Sequence, residues 1–119
     1  MIRYHRTPSQ QAIAEVVKGS MIIESAGDIL DILGEVSFSG SSAVIIYSDS
    51  FSPEFYDLRS GVAGEILQKF SNYRMKLAIV GDFSHLTGKS WRDFIRESNR
   101  GSAVSFVSSF DDAMTLLSR

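Results

Sequence analysis

Serine, histidine and acidic side chains occur at two places in this sequence where their types could support acid–base or nucleophilic chemistry. Asp82 and His85 are three residues apart, and Ser60 follows Asp57 at the same spacing. A serine nucleophile needs a histidine base oriented by an aspartate, and its usual sharp turn has the pattern Gly-x-Ser-x-Gly. That pattern does not occur in the chain. We therefore predict no catalytic residue, and an enzyme acting through Asp57, Asp82 or His85 is only a third hypothesis.

Metal and nucleotide chemistry have little support in the sequence. Cysteine is absent and the chain has two histidines, so no zinc-ligand spacing is found. Gly61 and Gly64 suggest a nucleotide-binding loop, but neither the dinucleotide fingerprint nor the P-loop pattern surrounds them. Close packing of a helix on a sheet explains Gly64 better. We expect no metal and no cofactor.

Ser60 and Gly61 precede a predicted helix, and this helix start is the sharpest candidate for a site. Apolar residues recur at helical spacing over 62–70, with polar residues between them. The first N–H groups of a helix and its dipole attract a phosphate or another anion, and Arg59 adds a positive charge. Phosphorylation of Ser60 is thus one hypothesis. The alternative is that Ser60 only caps the helix.

The pattern of apolar residues predicts one small α/β domain that spans residues 1–119. Two strands over 2–6 and 12–17 come first, and apolar runs at 43–47, 77–80 and 104–107 indicate buried strands. The short run 21–23 is a further strand candidate. Helices are predicted between and after these runs, with N-caps at Ser25, Ser90 and Ser109. Strict alternation in the second half implies parallel pairing, so we expect a mixed sheet of four to six strands with about four helices.

Loops that follow parallel strands gather at the carboxyl edge of the sheet, where ligands bind in open α/β folds. In this sequence that edge collects Asp49 after one strand and Asp82, Phe83 and His85 after the next, with the Ser60–Gly61 helix start beside them. Four aromatic side chains fall in the same loops, namely Phe51, Phe55, Tyr56 and Phe83. Three interpretations are open: a patch for a protein partner, a pocket for a small ligand, or a satellite core beneath the long loop.

Charge and hydropathy exclude several classes of function. Lys plus Arg is 12 and Asp plus Glu is 14, so the net charge of −2 provides no general attraction for nucleic acid. The longest apolar runs have about four residues, whereas a membrane-spanning helix needs about 20. No apolar targeting segment begins the chain. We expect a cytoplasmic protein with neither nucleic acid nor membrane as a partner.

The sequence contains FYDLRSGVAGEILQKFSNYR at residues 55–74 and LAIVGDF at residues 77–83. Both segments resemble a family of small bacterial proteins that is catalogued only as a domain of unknown function. The resemblance extends over nearly the whole chain. It implies a bacterial source and brings no activity with it.

Residues 57–61 read Asp-Leu-Arg-Ser-Gly and lie between a buried strand and a helix. This arrangement, together with the order of predicted elements, resembles the STAS domain of anti-sigma-factor antagonists and sulphate-transporter tails. In that family the motif is Asp-Ser-Ser-Gly, and the serine before the glycine is phosphorylated. Ser60 matches that serine, whereas Asp57 lies one residue farther away than in the family and Arg59 replaces the first serine. The resemblance implies a STAS-like fold and a regulatory role.

The leading functional hypothesis is a regulatory or protein-interaction module with a protein partner, which uses the Ser60 helix start and the neighbouring loops. The alternative is a small-molecule or anion-binding domain that uses the same edge. For either function the site residues are Asp49, Asp57, Arg59, Ser60, Gly61, Gly64, Asp82, Phe83 and His85. The sequence makes no prediction of the oligomeric state.

Overall fold

The expected alternation of strands and helices is present in the computed structural model, which describes residues 1–119. The five strands are β1 (Ile2–Arg6), β2 (Ala12–Val16), β3 (Ala43–Tyr47), β4 (Lys76–Val80) and β5 (Val104–Val107). The four helices are α1 (Ala26–Phe38), α2 (Val62–Asn72), α3 (Lys89–Arg100) and α4 (Phe110–Leu117). Three short 3₁₀ turns, Ser48–Ser50, Pro53–Tyr56 and Leu58–Ser60, fill the long connection from β3 to α2.

The strands form one mixed sheet in the order β1-β2-β3-β4-β5. The first pair is antiparallel and the other three pairs are parallel, which confirms the predicted α/β class. Because the strands follow one another in sequence order, right-handed crossovers place α1, α2 and α3 on the same face of the sheet. Only α4, which follows the last strand, covers the other face.

Helix starts follow the predicted caps at two of three serines. The hydroxyl oxygens of Ser25 and Ser109 accept hydrogen bonds from the third residue of α1 and α4, respectively. The prediction for Ser90 is wrong, because α3 already begins at Lys89 after Gly88. The candidate strand at 21–23 contributes only one parallel bridge, from Ile23 to Phe51, and does not join the sheet.

The two faces of the sheet are packed very differently. The face under three helices carries a core of 20 buried residues, among them Phe55, Phe70 and Ile79. The face under α4 carries 7, because an eight-residue helix is only about 12 Å long. The β1–β2 side of this second face therefore needs polar groups that pair with one another.

Glu15 provides that pairing from the middle of β2, where its side chain is buried on the second face. Its carboxylate lies 2.8 Å from His5 Nε2 and accepts a hydrogen bond of 2.5 Å from the Tyr47 hydroxyl. The ring of His5 also packs edge-on against Phe110 of α4. Burial and the bond to Glu15 raise the pKa of Tyr47 to about 12.

Candidate functional site

Two of the four aromatic residues of the carboxyl edge lie in the main core, and the other two pack against it. Phe55 is fully buried and stacks on Phe51 with ring centroids 4.1 Å apart. Phe83 is partly buried and meets Phe106 edge-to-face at 5.2 Å. The rings therefore extend the main core and form no satellite cluster, while Phe51 and Tyr56 also line a cavity.

Tyr56 links the long connection between β3 and α2 to Ser48, directly after β3, and to Trp91 of α3. Its hydroxyl donates a 2.5 Å hydrogen bond to the carbonyl of Ser48, and its own carbonyl accepts one of 2.7 Å from Trp91 Nε1. Burial, with a smaller contribution from the charge of Asp49, raises the pKa of Tyr56 above its usual value. The segment before α2 is therefore held at two points of Tyr56, its side-chain hydroxyl and its backbone carbonyl.

Ser60 lies at the start of α2 but is not its N-cap. The N-cap is Gly61, whose φ of +80° is in the left-handed region that favours glycine. The exposed hydroxyl of Ser60 donates to the carbonyl of Glu54 at 2.7 Å and accepts from the N–H of Val62 at 3.2 Å. Both of its partners are backbone groups, so the hydroxyl closes the 54–60 turn and caps one N–H of α2.

Asp57 and Arg59 form an exposed, self-contained turn before Ser60. One carboxylate oxygen of Asp57 accepts the backbone N–H of Arg59 at 3.1 Å. Arg59 Nε lies 3.9 Å from the same oxygen, and the Arg59 side chain is 97% exposed. Solvent screens an ion pair this exposed, so it contributes little to stability.

Gly64 contradicts its predicted structural role. It is exposed, and a Cβ built on it meets no atom within 4 Å. Close packing of the helix on the sheet is therefore wrong as its explanation, because Ala63, Ile66 and Phe70 form the buried stripe of α2. The close approach occurs instead at Gly81, where a Cβ would lie 2.1 Å from Ser48 Oγ.

Asp82 and His85 do not form an acid–base pair. Asp82 accepts the backbone N–H of Ser84 at 2.9 Å, and this bond, helped by the nearby His85, lowers the pKa of the Asp82 carboxyl. His85 is exposed, and its ring meets Tyr56 edge-on at 6.3 Å. Asp82 therefore shapes a turn and does not orient the imidazole as a catalytic aspartate does.

Asp49 and His85 are brought together around a cavity of about 260 Å³. Tyr56 forms part of its wall, and neither Ser60 nor Gly61 lines it. Asp49 is exposed, with its carboxylate 3.7 Å from Lys18 Nζ. The predicted residues thus divide into a cavity at Asp49 and His85 and a separate surface turn at Asp57–Gly61, and Asp82 and Phe83 belong to neither.

A protein-family model described as domain of unknown function (DUF4180) matches residues 8–117. The chain belongs to this family. No curated protein and no solved structure matches it significantly. Membership in DUF4180 thus covers every candidate residue of the carboxyl edge but assigns none of them a role, and function has to be argued from the site itself.

The carboxyl edge of this DUF4180 domain is rich in acidic side chains. Asp49, Glu54, Asp57 and Asp82 are all available at the surface there, with Lys18 and Arg59 as partly compensating cations. Each of these two cations lies within 4 Å of a carboxylate oxygen, Lys18 beside Asp49 and Arg59 beside Asp57.

Sequence reasoning missed a second feature of this edge, a cavity of about 710 Å³ between β5 and α4. Gly81, Asp82 and Phe83 line it beside Ser108 and Asp112, and the lining continues to Thr115, Leu116 and Arg119. The sequence offered little indication of this cavity, because α4 is far from β4 in the sequence. No three histidine or acidic side chains of the chain lie together as a metal site, and no helix has the length and apolar character needed to cross a membrane.

Proposed function

We propose that this DUF4180 chain is a bacterial, cytoplasmic regulatory or protein-interaction module whose working surface is the turn at residues 57–61. One observation carries the proposal: the turn is charged and exposed, whereas Phe55, just before it in the chain, is fully buried. Arg59 is 97% exposed, whereas Phe55, four residues earlier, is inaccessible to solvent. Preorganised surfaces of this kind lose little conformational freedom when a partner docks.

Ser60 gives this surface a means of regulation. A phosphate there would add about 1.5 to 2 negative charges and could not donate the hydrogen bond that the hydroxyl gives to the Glu54 carbonyl. The 54–60 turn would open at that point, while the N–H groups of α2 and Arg59 would attract the new charge. A charge at Ser60 therefore changes the shape of the surface as well as its potential.

The similarity of the element order to the STAS domain supports the same role. In that family the serine before the glycine is the regulated residue, and Ser60 occupies the matching position. The acidic side chains around the turn favour a partner with a basic surface.

Photo-crosslinking in cells of the source bacterium tests the proposal. A photoreactive side chain replaces Arg59 in one variant and Arg92, an exposed residue of α3, in a control. We expect a discrete covalent adduct with another protein from position 59 and not from position 92. The adduct should disappear in Ser60→Glu and persist in Ser90→Glu, which places the same charge at the start of α3.

Three results would contradict the proposal: no adduct from position 59, the same adducts from both positions, or loss of the adduct in both glutamate variants. Circular dichroism of the purified variants distinguishes a lost surface from a lost fold.

A further inference from the structure

A second cavity, of about 260 Å³, lies at the opposite, amino edge of the sheet, between the ends of α3 and α4. The first residue of β4 and the start of β5 form its floor. Its polar lining consists of Lys76, Asn99, Arg100, Ser102, Ser105 and Arg119.

The lining contains three cationic side chains and no carboxylate side chain. Lys76, Arg100 and Arg119 take part in none of the five ion pairs of the molecule, which use other residues. Positive charges that face a shared cavity repel one another unless an anion lies between them. The 710 Å³ cavity shares Arg119 but also has Asp82 and Asp112 in its wall.

Ser105 adds a hydrogen-bond donor to the lining. The residue is 8% exposed and lines the cavity, and its hydroxyl is free to donate to a ligand there. A hydroxyl donor beside three cations suits an anionic acceptor.

Asn99 fixes the wall of the cavity. Its side-chain carbonyl accepts the N–H of Phe106 at 2.7 Å, and its amide donates to the Phe106 carbonyl at 3.4 Å. These two hydrogen bonds attach the end of α3 to β5, and this fixes the position of Arg100 relative to Ser105.

The ends of α3 and α4 explain only part of this arrangement. A cation in the last turn of a helix interacts favourably with the helix dipole, which accounts for Arg100 without any ligand. Arg119 lies beyond the end of α4 and Lys76 lies on a strand, so the dipole accounts for neither. An oxyanion bound between the three cations accounts for all of them.

We propose that this cavity binds a phosphate group, either as inorganic phosphate or as the monoester of a small molecule. The guanidinium groups of Arg100 and Arg119 match the geometry of phosphate oxygens, and Lys76 adds a point charge. Water occupies about 30 Å³ per molecule, so the cavity has the volume of about nine waters. That space holds a phosphate with a small organic substituent.

Titration of the ¹⁵N-labelled full chain, without a C-terminal tag, tests the proposal. The probes are inorganic phosphate and glycerol phosphate, with sodium chloride at matched ionic strength as the control. We expect saturable shifts of the amide signals of Gly101, Ser102 and Ser105, with little change at Ser60 and Gly61. Tighter binding of glycerol phosphate identifies a small-molecule monoester as the ligand, and equal or weaker binding identifies the free anion.

Substitutions make the assignment specific to this cavity. Arg100→Gln and Lys76→Gln should each weaken binding by about fivefold, because each removes a charged hydrogen-bond donor. Ser105→Ala should weaken it less, and Arg92→Gln, on the same helix but outside the lining, should leave it unchanged. Shifts that follow ionic strength alone, or equal binding by Arg100→Gln and the wild type, would overturn the proposal. Each variant's own spectrum reports whether it is folded.

Discussion

The two edges of the sheet differ in charge and in how their loops are held. At the carboxyl edge the surface is acidic, and the loops stand on buried rings such as Phe55 and Trp91. At the amino edge, unpaired cations surround a cavity, and an asparagine side chain fastens its wall. Topology places loops at the carboxyl edge of any parallel sheet, but the charges decide which ligands an edge accepts.

This contrast divides the proposed tasks between the edges. The carboxyl edge presents a stable, charged outer surface at Arg59 and Ser60, which suits a protein partner. The amino edge has a small concave site with donors and no carboxylate side chain, which suits an oxyanion. Substitutions at each edge therefore separate the two tasks experimentally.

Phe55→Ala should have the largest effect, because it removes the centre of the base under the carboxyl edge. Phe55 is fully buried, so the substitution should lower the free energy of unfolding by about 3–5 kcal/mol. Phe38→Ala is the matched control, since Phe38 is 96% exposed and its loss should change stability by less than about 0.5 kcal/mol. Urea unfolding followed by circular dichroism measures both. Similar costs for the two variants would show that the aromatic base is not what holds this edge.

Asn99→Ala should be next in size and acts on the amino edge. It removes both side-chain hydrogen bonds to Phe106 and leaves two groups of edge strand β5 unpaired, at a cost of about 1–3 kcal/mol. An unpaired strand edge also favours self-association, so light scattering should detect larger species. Asn99→Asp keeps the 2.7 Å acceptor and should recover most of the loss. If the aspartate variant is as unstable as the alanine variant, the bond to the Phe106 N–H is not the important one.

Alkaline pH should destabilise the carboxyl edge selectively. The folded pKa of Tyr47 is about 12, above its unfolded value of 10, and that of Tyr56 is also raised. The contribution of these two tyrosines to the free energy of unfolding is complete below pH 10 and is lost as pH rises toward the folded pKa. Because Tyr47 is partly exposed, solvent screening keeps its contribution below about 1.4 kcal/mol per pH unit.

Urea unfolding at several pH values from about 8 to about 12 measures this loss. Tyr56→Phe should flatten the alkaline slope, whereas Tyr73→Phe should not, because Tyr73 is exposed at the end of α2. An unchanged slope in Tyr56→Phe would show that ionisation of the buried Tyr56 hydroxyl does not cause the alkaline loss of stability.

Much of the fold was predictable because its signals are local. The apolar runs at 43–47 and 77–80 correspond to β3 and β4, and the helical stripe after Gly61 corresponds to α2. The mixed sheet followed from the order of these elements. The position of the cap was less accessible, since Ser60 and Gly61 compete for the N-cap position and only the positive φ of Gly61 decides it.

The rest could not be predicted because it depends on contacts between distant residues. Glu15 pairs with Tyr47 across 32 positions, and the amino-edge cavity joins Lys76, Arg100 and Arg119 from three separate elements. The role of the loop aromatics could not be decided from the sequence for the same reason, because Phe55 packs against Trp91, 36 residues farther along the chain, as well as against nearby Phe51. Local spacing contains no information about which of these partners meet.

The smallest expected change in stability is that of Gly64→Ala, and it is a stabilisation, unlike the losses described above. Alanine at this position enters the interior of α2, where a Cβ meets nothing within 4 Å, so Gly64→Ala should stabilise the protein by about 0.5–1 kcal/mol. Gly61→Ala, three residues earlier, should destabilise it by about 1–2 kcal/mol, because alanine is strained at a φ of +80°. Thermal unfolding of the two variants measures the contrast, and binding at position 59 should survive only in the first. A destabilised Gly64→Ala would mean that this face of α2 is covered, and the partner surface would then extend along the helix beyond the turn at 57–61.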